Sequence, residues 1–458
     1  MSSLVDAAFA THLDLSPEDA ALRRFVTDHP RGQEVADPRA GDLPALAQWF
    51  TYPIQPWPVL LGEAKRAHLE RTALGLIQLI RQVPERFFPN DPDGLVALLG
   101  LPPGQKIAVM PPTGLFKDFG FARVDLIDDG EELRLLEANM TSTLGGWELR
   151  FWQEWVTSRP AVGDFLGSLP TPPRHRDALA GKFRHLIEGA RRVLGANISP
   201  INTAVVIDVA EPDDMVGSVF RPLYQEVLAE LGATGQLVVT PWNGFAPGAR
   251  WLEVGSVPIQ VIFNHTHGIS PPLVFQAFKQ GRVALVNPPL HRMLGSKRVV
   301  ALLSSRENDP ALTAAERELI RTHIPWTRVV SAGTLEYEGR SWSLPELLVT
   351  ARERFVLKAE KGTGGNAVVI GRATRPDAWR EAVARALQGG WLVQQVVVSR
   401  PYLLQGVDGR PTLHDGVWGA YVFGARYGGS YLRAMPSGSG DGVINGSRGA
   451  SESVVFEV

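Results

Sequence analysis

The chain has 458 residues, which is the length of about three ordinary domains or of one large multi-lobed enzyme. Its 46 Lys and Arg residues nearly balance its 48 Asp and Glu residues, and a formal net charge of -2 creates no global field that would recruit nucleic acid or an anionic membrane. Because cysteine is absent, disulfides, thiolate metal sites and a cysteine nucleophile are excluded. Any catalysis would rest on Asp, Glu, Lys, Arg, Asn or His side chains.

The N-terminal sequence MSSLVDAAFATHLDLSPEDA has no basic segment followed by a sustained apolar one, and no apolar run in the chain reaches bilayer length. We therefore expect a cytoplasmic protein with neither a membrane nor a nucleic-acid partner.

The first hundred residues, as a region spanning 1–102, are predicted to be mostly helical. Within 64–88, apolar residues such as Leu69, Leu76 and Ile80 recur at three- and four-residue intervals, which predicts a helix that packs one face on a core. Beyond residue 103 the character changes, since 107–110, 121–127 and 133–138 have the composition of short strands separated by Pro, Gly and Asp. These strands predict a meandering sheet.

A second type of organisation follows a Pro-rich break at 170–173 and a basic helix near 174–194. The segments TAVVIDVA and QLVVTPW flank a predicted helix at 219–232, and PIQVIFN and RVALVN extend the pattern to about Asn287. This pattern predicts a small α/β lobe. The remaining chain is predicted to be α+β, with a helix over 376–388, a strand in WLVQQVVV and a loop-like segment near 435–451.

The segment FARVDLIDDGEELRLLEANMTS contains four polar residues that a hairpin would bring together. A five-residue loop from 128 to 132 would place Arg123, Asp125, Glu137 and Asn139 on one face, with the two carboxylates as diagonal neighbours. Two carboxylates and an amide carbonyl suit a magnesium ion, whose remaining ligands would be waters and phosphates. The alternative for the hairpin alone is an exposed turn with ordinary charges.

The segment VLKAEKGTGGNAVVIG predicts a glycine hairpin in which Lys358 ends an apolar strand. Its loop carries Gly362, Gly364 and Gly365, and glycine lets backbone amides approach anionic oxygens closely. The loop is not a Walker A motif and is not a dinucleotide fingerprint. A Gly-rich hairpin by itself is more often a simple turn.

Three further segments carry candidate residues. Lys297 lies where a loop gives way to a helix, and the adjacent Gln394 and Gln395 lie on an otherwise apolar strand, where an adenine edge or a ribose could pair with them. Arg433 is predicted to end a strand pair after a turn at 427–429. His265 and His267 flank one residue at a strand end, but no third metal ligand is visible nearby, which favours a structural or substrate-facing role.

Together these segments resemble the synthetase domain of glutathionylspermidine synthetase and its circularly permuted ATP-grasp relatives, over about residues 105–458. That family has an R-x-D pair, an E-x-N pair, a lysine at a helix start, a V-L-K strand before a Gly-rich loop, a Q-Q strand and a strand pair that ends in arginine. Here the order, the residue types and the short spacings agree. The matching residues are Arg123, Asp125, Glu137, Asn139, Lys297, Lys358, Gln394, Gln395 and Arg433.

The resemblance implies a mixed α+β and α/β chain with a circularly permuted ATP-grasp fold. The metal-binding hairpin would belong to a first part at 103–195, a pre-ATP-grasp-like α/β lobe would span 196–290, and the nucleotide-binding part would span 291–458. By the same resemblance, Asp125, Glu137 and Asn139 bind Mg²⁺, Lys297 and Lys358 hold ATP phosphates, and Arg123 and Arg433 stabilise an acyl-phosphate.

The implied activity is ATP-dependent joining of a carboxylate to an amine, with release of ADP and phosphate. The substrates would be small molecules or peptides, of a peptide, amino-acid or polyamine type. Two departures from the family stand out: Ala359 replaces a proline after Lys358 at the nucleotide strand, and the stretch after Asn139 lacks an acid next to the substrate site. The alternatives are a nucleotide-binding scaffold without ligase activity and a simple phosphotransferase. The sequence identifies neither the acid and the amine nor the oligomeric state.

Overall fold

The computed structural model describes residues 2–28, 49–50, 52–102, 118–208, 216–266, 268, 270–360, 362 and 367–458. The strand predicted at 107–110, the loop residues Gly364 and Gly365, and His267 lie outside the described residues.

The secondary structure mixes helices and strands along the whole chain. The helices are α1 (Ser2–Leu15), α2 (Pro17–Asp28), α3 (Glu63–Phe87), α4 (Pro92–Leu98), α5 (Leu149–Ser158), α6 (Pro160–Gly167), α7 (Ala178–Leu194), α8 (Ser218–Glu230), α9 (Pro272–Lys279), α10 (Pro289–Met293), α11 (Lys297–Ser305), α12 (Ala314–His323), α13 (Leu344–Thr350) and α14 (Pro376–Ala386). The strands are β1 (Val59–Leu61), β2 (Phe121–Asp128), β3 (Leu133–Asn139), β4 (Arg174–His175), β5 (Thr203–Val206), β6 (Leu237–Thr240), β7 (Phe245–Pro247), β8 (Leu252–Val254), β9 (Val257–Ile259), β10 (Val261–Asn264), β11 (Ala284–Val286), β12 (Thr327–Val329), β13 (Thr334–Tyr337), β14 (Arg340–Ser343), β15 (Phe355–Ala359), β16 (Val368–Ile370), β17 (Trp391–Gln395), β18 (Tyr402–Gln405), β19 (Pro411–Phe423), β20 (Arg426–Pro436) and β21 (Ser451–Glu457).

The central sheet joins distant parts of the chain in the order β1-β21-β20-β19-β2-β3, with β18 beside β19 and β4 beside β21. Strand β1 pairs with β21 in parallel, whereas the pairs from β21 through β3 are antiparallel. The region 1–102 therefore contributes a strand to the same sheet as the C-terminal residues.

Both faces of the central sheet are covered. Successive side chains along each strand point to opposite faces, and each face packs in its own core cluster. On β19, Ala420 and Val422 pack in one core cluster with Leu76 of α3, while Tyr421 and Phe423 pack in another with residues of α7 and of the parallel sheet described next. The predicted apolar helix in 64–88 is confirmed as α3, and its apolar face covers this sheet.

The predicted α/β lobe is confirmed as a parallel four-stranded sheet with the order β11-β10-β5-β6. Helix α8 connects β5 to β6 and α9 connects β10 to β11, as expected of parallel strands that need crossover connections. Strands β5, β10 and β11 are buried along their whole length, which explains their continuous apolar sequences.

A small antiparallel sheet with the order β12-β17-β15-β16 stands next to the hairpin of β2 and β3. It packs on α13 and α14 through residues that include Phe355, Leu357 and Trp379. Among the described residues, every helix is too short or too polar to cross a lipid bilayer.

Candidate active site

The hairpin of β2 and β3 brings the first four predicted site residues onto one face. Arg123 is opposite Asn139, and Asp125 is directly opposite Glu137. Directly opposed residues project from the same side of a sheet. The shared face was predicted correctly, but the diagonal arrangement of the two carboxylates was wrong, because they form a direct cross-strand pair.

The predicted five-residue loop was also wrong, and a bulge explains why the shared face survives. The strands extend to Asp128 and Leu133, so only residues 129–132 connect them. That even-numbered loop alone would turn Glu137 to the opposite face. The register shift next to Asp125 inserts Leu136 as an extra residue and restores the parity.

Asp125 is buried and held by Arg123. The guanidinium Nε donates to Oδ1 of Asp125 at 2.6 Å and Nη2 donates to Oδ2 at 2.9 Å, while Nη1 donates to the carbonyl of Leu144 at 2.8 Å. Burial disfavours the charge of Arg123, but the Asp125 carboxylate holds the pKa of Arg123 above its ordinary value. The pair is therefore a fixed ionic unit in the floor of the site.

The carboxylates and the amide converge closely enough to suit a magnesium ion. Nδ2 of Asn139 lies 3.3 Å from Oδ2 of Asp125 and 3.4 Å from Oε1 of Glu137. Each carboxylate oxygen has two lone pairs, so Asp125 can accept from Arg123 and still offer lone pairs to a cation. Rotating the Asn139 amide by 180° would present its oxygen instead of its nitrogen. The residues present fit a hard divalent cation.

Lys358 approaches the hairpin from the small antiparallel sheet. Its Nζ donates to the carbonyl of the bulge residue Leu136 at 2.9 Å and to Oε1 of Gln394 at 2.6 Å. Burial lowers the pKa of Lys358 to about 8, with Lys297 adding to this effect and Glu137 opposing it. The ammonium is therefore held in place before any anion arrives.

Gln394 differs from its prediction as a partner of an adenine or a ribose. Its Oε1 accepts from Lys358, and its Nε2 donates to Oγ1 of Thr327 at 3.2 Å and to the carbonyl of Leu135 at 3.4 Å. Because protein groups occupy both ends of this amide, Gln394 positions Lys358. Gln395 is half-buried and its backbone nitrogen donates to the carbonyl of Trp326.

Lys297 is the first residue of α11, as predicted, behind the N-cap residue Ser296. Its Nζ lies 3.9 Å from Oε2 of Glu137, so a second ammonium faces the carboxylate pair. Gly362 has a φ of +151° in the connection between β15 and β16, a conformation that side chains rarely allow.

Arg433 lies in the middle of β20, not at the end of a strand pair. The tight turn before it consists of residues 424–425, whereas 427–429 belong to the strand. Arg433 is buried: Nε and Nη2 donate to Oε1 of Glu452 at 3.1 and 2.9 Å, and Nη2 donates to the hydroxyl of Tyr431 at 2.7 Å. The strand places its guanidinium on the same face as Arg123, which also lies over the Tyr431 ring.

Two buried carboxylates of this site, and a buried lysine beside Glu148, were missed in the sequence. Glu148 and Glu452 are 3% and 2% exposed, and no described residue donates a hydrogen bond to Oε2 of either one. Burial and the nearby Glu452 raise the pKa of Glu148 to about 7. Lys182 donates to the carbonyl of Gly145 and is also fully buried. The sequence carries no signal for them, because each lies in a segment that also suits a surface.

These elements enclose a cavity of about 490 Å³, within the range typical of small-molecule sites. Every predicted site residue that the structure describes lines it, together with Glu148 and Glu452. Part of the predicted loop-like segment, residues 442–445, forms another wall. The predicted site residues in its lining are Arg123, Asp125, Glu137, Asn139, Lys297, Lys358, Gly362, Gln394, Gln395 and Arg433.

His265, the other candidate from the sequence that the structure describes, lies in an aromatic environment. Its ring packs edge-on against Phe263 and Phe220 at 5.4 and 6.1 Å between centroids.

Comparison with known proteins gives a similarity in structure. No protein-family model matches the sequence, and no curated protein matches it. The chain is similar to the solved structure of a glutathione synthetase-like effector from Globodera pallida in its apo form, with a TM-score of 0.55 and 11% sequence identity over 96% of each chain. This similarity shows that the chain has a glutathione synthetase-like fold. At 11% sequence identity, the similarity extends to the fold alone.

Proposed function

We propose that this protein is an ATP-dependent ligase that joins a carboxylate to an amine through an acyl-phosphate, on a circularly permuted ATP-grasp fold. The observation that carries the proposal is the cavity of about 490 Å³, lined by all the predicted site residues that are described. They come from five separate segments of the chain, and four cationic and two acidic predicted groups in one cavity provide the charges that phosphoryl transfer requires.

The residues that line the cavity would have different roles according to their positions. Asp125, Glu137 and Asn139 would hold Mg²⁺, which supplies charge neutralisation on the polyphosphate when bound. Lys297, whose Nζ lies 3.9 Å from Oε2 of Glu137, and Lys358, whose Nζ donates to the carbonyl of Leu136, would bind phosphate oxygens. Arg433 would stabilise the charge that develops on the transferring phosphoryl group.

The unpartnered carboxylate oxygens support an amine as second substrate. A buried carboxylate oxygen without a hydrogen-bond donor is costly, and a substrate ammonium would satisfy it. Glu148, with its pKa raised to about 7 by burial and by Glu452, is also suited to take a proton from that ammonium near neutral pH. The second substrate would thus lie on the Glu148 and Glu452 side of the cavity.

Turnover should yield ADP and orthophosphate, because a carboxylate that attacks the γ-phosphorus leaves ADP behind. A panel of carboxylic acids and amines, assayed with Mg²⁺ for both nucleotide products, checks this. Stoichiometric AMP and pyrophosphate would contradict the acyl-phosphate route and indicate adenylation instead.

ATP affinity should fall with rising pH through the titration of Lys358. The charged ammonium dominates below its pKa of about 8 and is lost above it, so the affinity should decrease by about tenfold per pH unit between pH 8.5 and 9.5. Lys358→Arg keeps its charge over this range and should show a much flatter dependence. Dissociation constants measured across the pH range test this, and equal slopes in both proteins would remove Lys358 from phosphate binding.

A nucleotide-binding scaffold without ligase activity is the second candidate. It is favoured by the ion pairs Arg123–Asp125 and Arg433–Glu452, which already neutralise much of the site's charge within the protein. Tight ATP binding with no ADP release for any acid and amine pair would support it. ADP release that needs the acid but not the amine would instead indicate a phosphotransferase.

A further inference from the structure

Outside the cavity, three potential metal ligands converge from three different elements. They are His68 in α3, Glu132 in the connection between β2 and β3, and His323 at the end of α12. One ligand atom from each lies within 4.8 Å of the others, and none of the three residues lines the cavity. We propose that these side chains form a Zn²⁺ site that fastens α3 and α12 to the β2–β3 hairpin.

The distances suit a tetrahedral zinc shell with small side-chain adjustments. Zinc lies about 2.0–2.2 Å from His nitrogen and carboxylate oxygen, so neighbouring ligands in a tetrahedron stand about 3.3 Å apart. Nε2 of His68 is already 3.3 Å from Oε2 of Glu132. These two side chains are 30% and 36% exposed, which leaves them room to rotate toward His323.

His323 has the environment of a zinc-binding histidine. Its Nδ1 is 2.7 Å from the carbonyl of Leu133, and a hydrogen bond of this kind fixes the ring and leaves the lone pair on Nε2. Two imidazoles and one carboxylate favour zinc over magnesium or calcium, and they leave a fourth position for water.

The surrounding charges permit a dication. Arg134 is the nearby cation on β3, but its Nε donates to Oδ2 of Asp129 at 2.7 Å, and it also donates to the carbonyl of Thr322, next to His323. The Arg134 charge is therefore already compensated. Glu132 supplies the one negative charge in the ligand set, and its neighbour Leu133 begins the strand that carries Glu137. A bound zinc ion would hold this end of the hairpin against both helices.

The test is a Zn²⁺ titration of the full chain. The protein is first freed of metal by dialysis against a chelator, and zinc binding is then measured by competition with a chromogenic chelator. The parent should bind one equivalent with a dissociation constant of about 1 μM or lower, and its melting temperature should rise with zinc. His68→Gln and Glu132→Gln should each weaken binding by about 100-fold or more, since losing a ligand costs at least as much as losing an outer-shell partner.

His175→Gln is the matched control, because His175 is a partly buried histidine on β4, away from the three ligands, and this variant should bind zinc like the parent. Three results would overturn the proposal. They are no zinc binding by the parent, unchanged zinc binding by both ligand variants, and an equal loss of zinc binding in His175→Gln. The readout uses no ATP, so its result is independent of the proposed ligase activity. Millimolar Mg²⁺ should leave the bound zinc in place.

Discussion

Glu137→Gln should reduce ATP turnover by about 100-fold or more while the protein stays folded. The change removes a formal charge from the proposed magnesium ligands at nearly constant shape, and metal ligands tolerate such losses poorly. The Glu137 side chain is 36% exposed, so its neutral form should cost little stability. Turnover measured across Mg²⁺ and Mn²⁺ concentrations checks this, with partial rescue expected from Mn²⁺.

Asp125→Asn should also abolish turnover, but its effect on stability differs. Asp125 is the buried charge partner of Arg123, and removing one member of such a pair costs about 3 kcal/mol in the free energy of unfolding. Thermal or denaturant unfolding of both variants separates the two effects. Glu137→Gln therefore carries the functional conclusion.

Glu131→Gln serves as the control for both variants. Glu131 is an exposed carboxylate in the connection of the same hairpin, and the substitution is chemically identical. It should leave turnover unchanged. Full activity of Glu137→Gln at every Mg²⁺ concentration would place the metal site elsewhere and exclude the hairpin from metal binding.

The sequence predicted local features well, because these features depend on the periodicity of apolar residues and on the turn-forming residues between segments. Alternation along β2 and β3 placed Arg123 and Glu137 on one face, and apolar runs separated by a helix predicted the parallel lobe. What the sequence could not show was the bulge at Leu136. That bulge compensates for a shorter loop, and two errors in the prediction cancelled.

The glycines before Arg433 led to a wrong turn prediction, because close tertiary packing and not a turn requires glycine at these positions. Residues Gly428 and Gly429 suggested a turn, but a Cβ on Gly428 would meet the Phe423 ring at 2.3 Å and one on Gly429 would meet Arg176 at 2.9 Å. Glycine is needed there for close packing, while the turn itself uses Gly424 with a φ of +62°. Such approaches are invisible until the strands are paired.

The buried carboxylates show the same limit. Glu452 belongs to the segment SESVVFEV, and only the pairing of β20 with β21 places it opposite Arg433. Glu148 precedes α5, where an acidic residue is also common at a solvent-exposed helix start. Their roles arise from contacts between segments far apart in the chain, to which local patterns are blind.

Arg433→Lys should lower turnover by on the order of 10²-fold while nucleotide affinity changes little. The arginine makes three hydrogen bonds through Nε and Nη2, two to Glu452 and one to Tyr431, and no described residue accepts a hydrogen bond from Nη1. This arrangement leaves Nη1 to bond phosphate oxygens while the rest of the guanidinium is anchored. A lysine keeps the charge, but a single nitrogen cannot hold Glu452 and Tyr431 and also reach the phosphoryl group.

Arg426→Lys is the matched control, since Arg426 lies on the same strand and pairs with Glu188 at the surface, where its side chain is 69% exposed. Exposed ion pairs contribute little, so this variant should match the parent in turnover and stability. Nucleotide dissociation constants and turnover for the three proteins decide the role of Arg433. Unchanged turnover and unchanged affinity in Arg433→Lys would refute a catalytic role and leave the Glu452 pair as purely structural. A loss of affinity with unchanged turnover at saturating ATP would mean that Arg433 contributes equally to the ground state and the transition state.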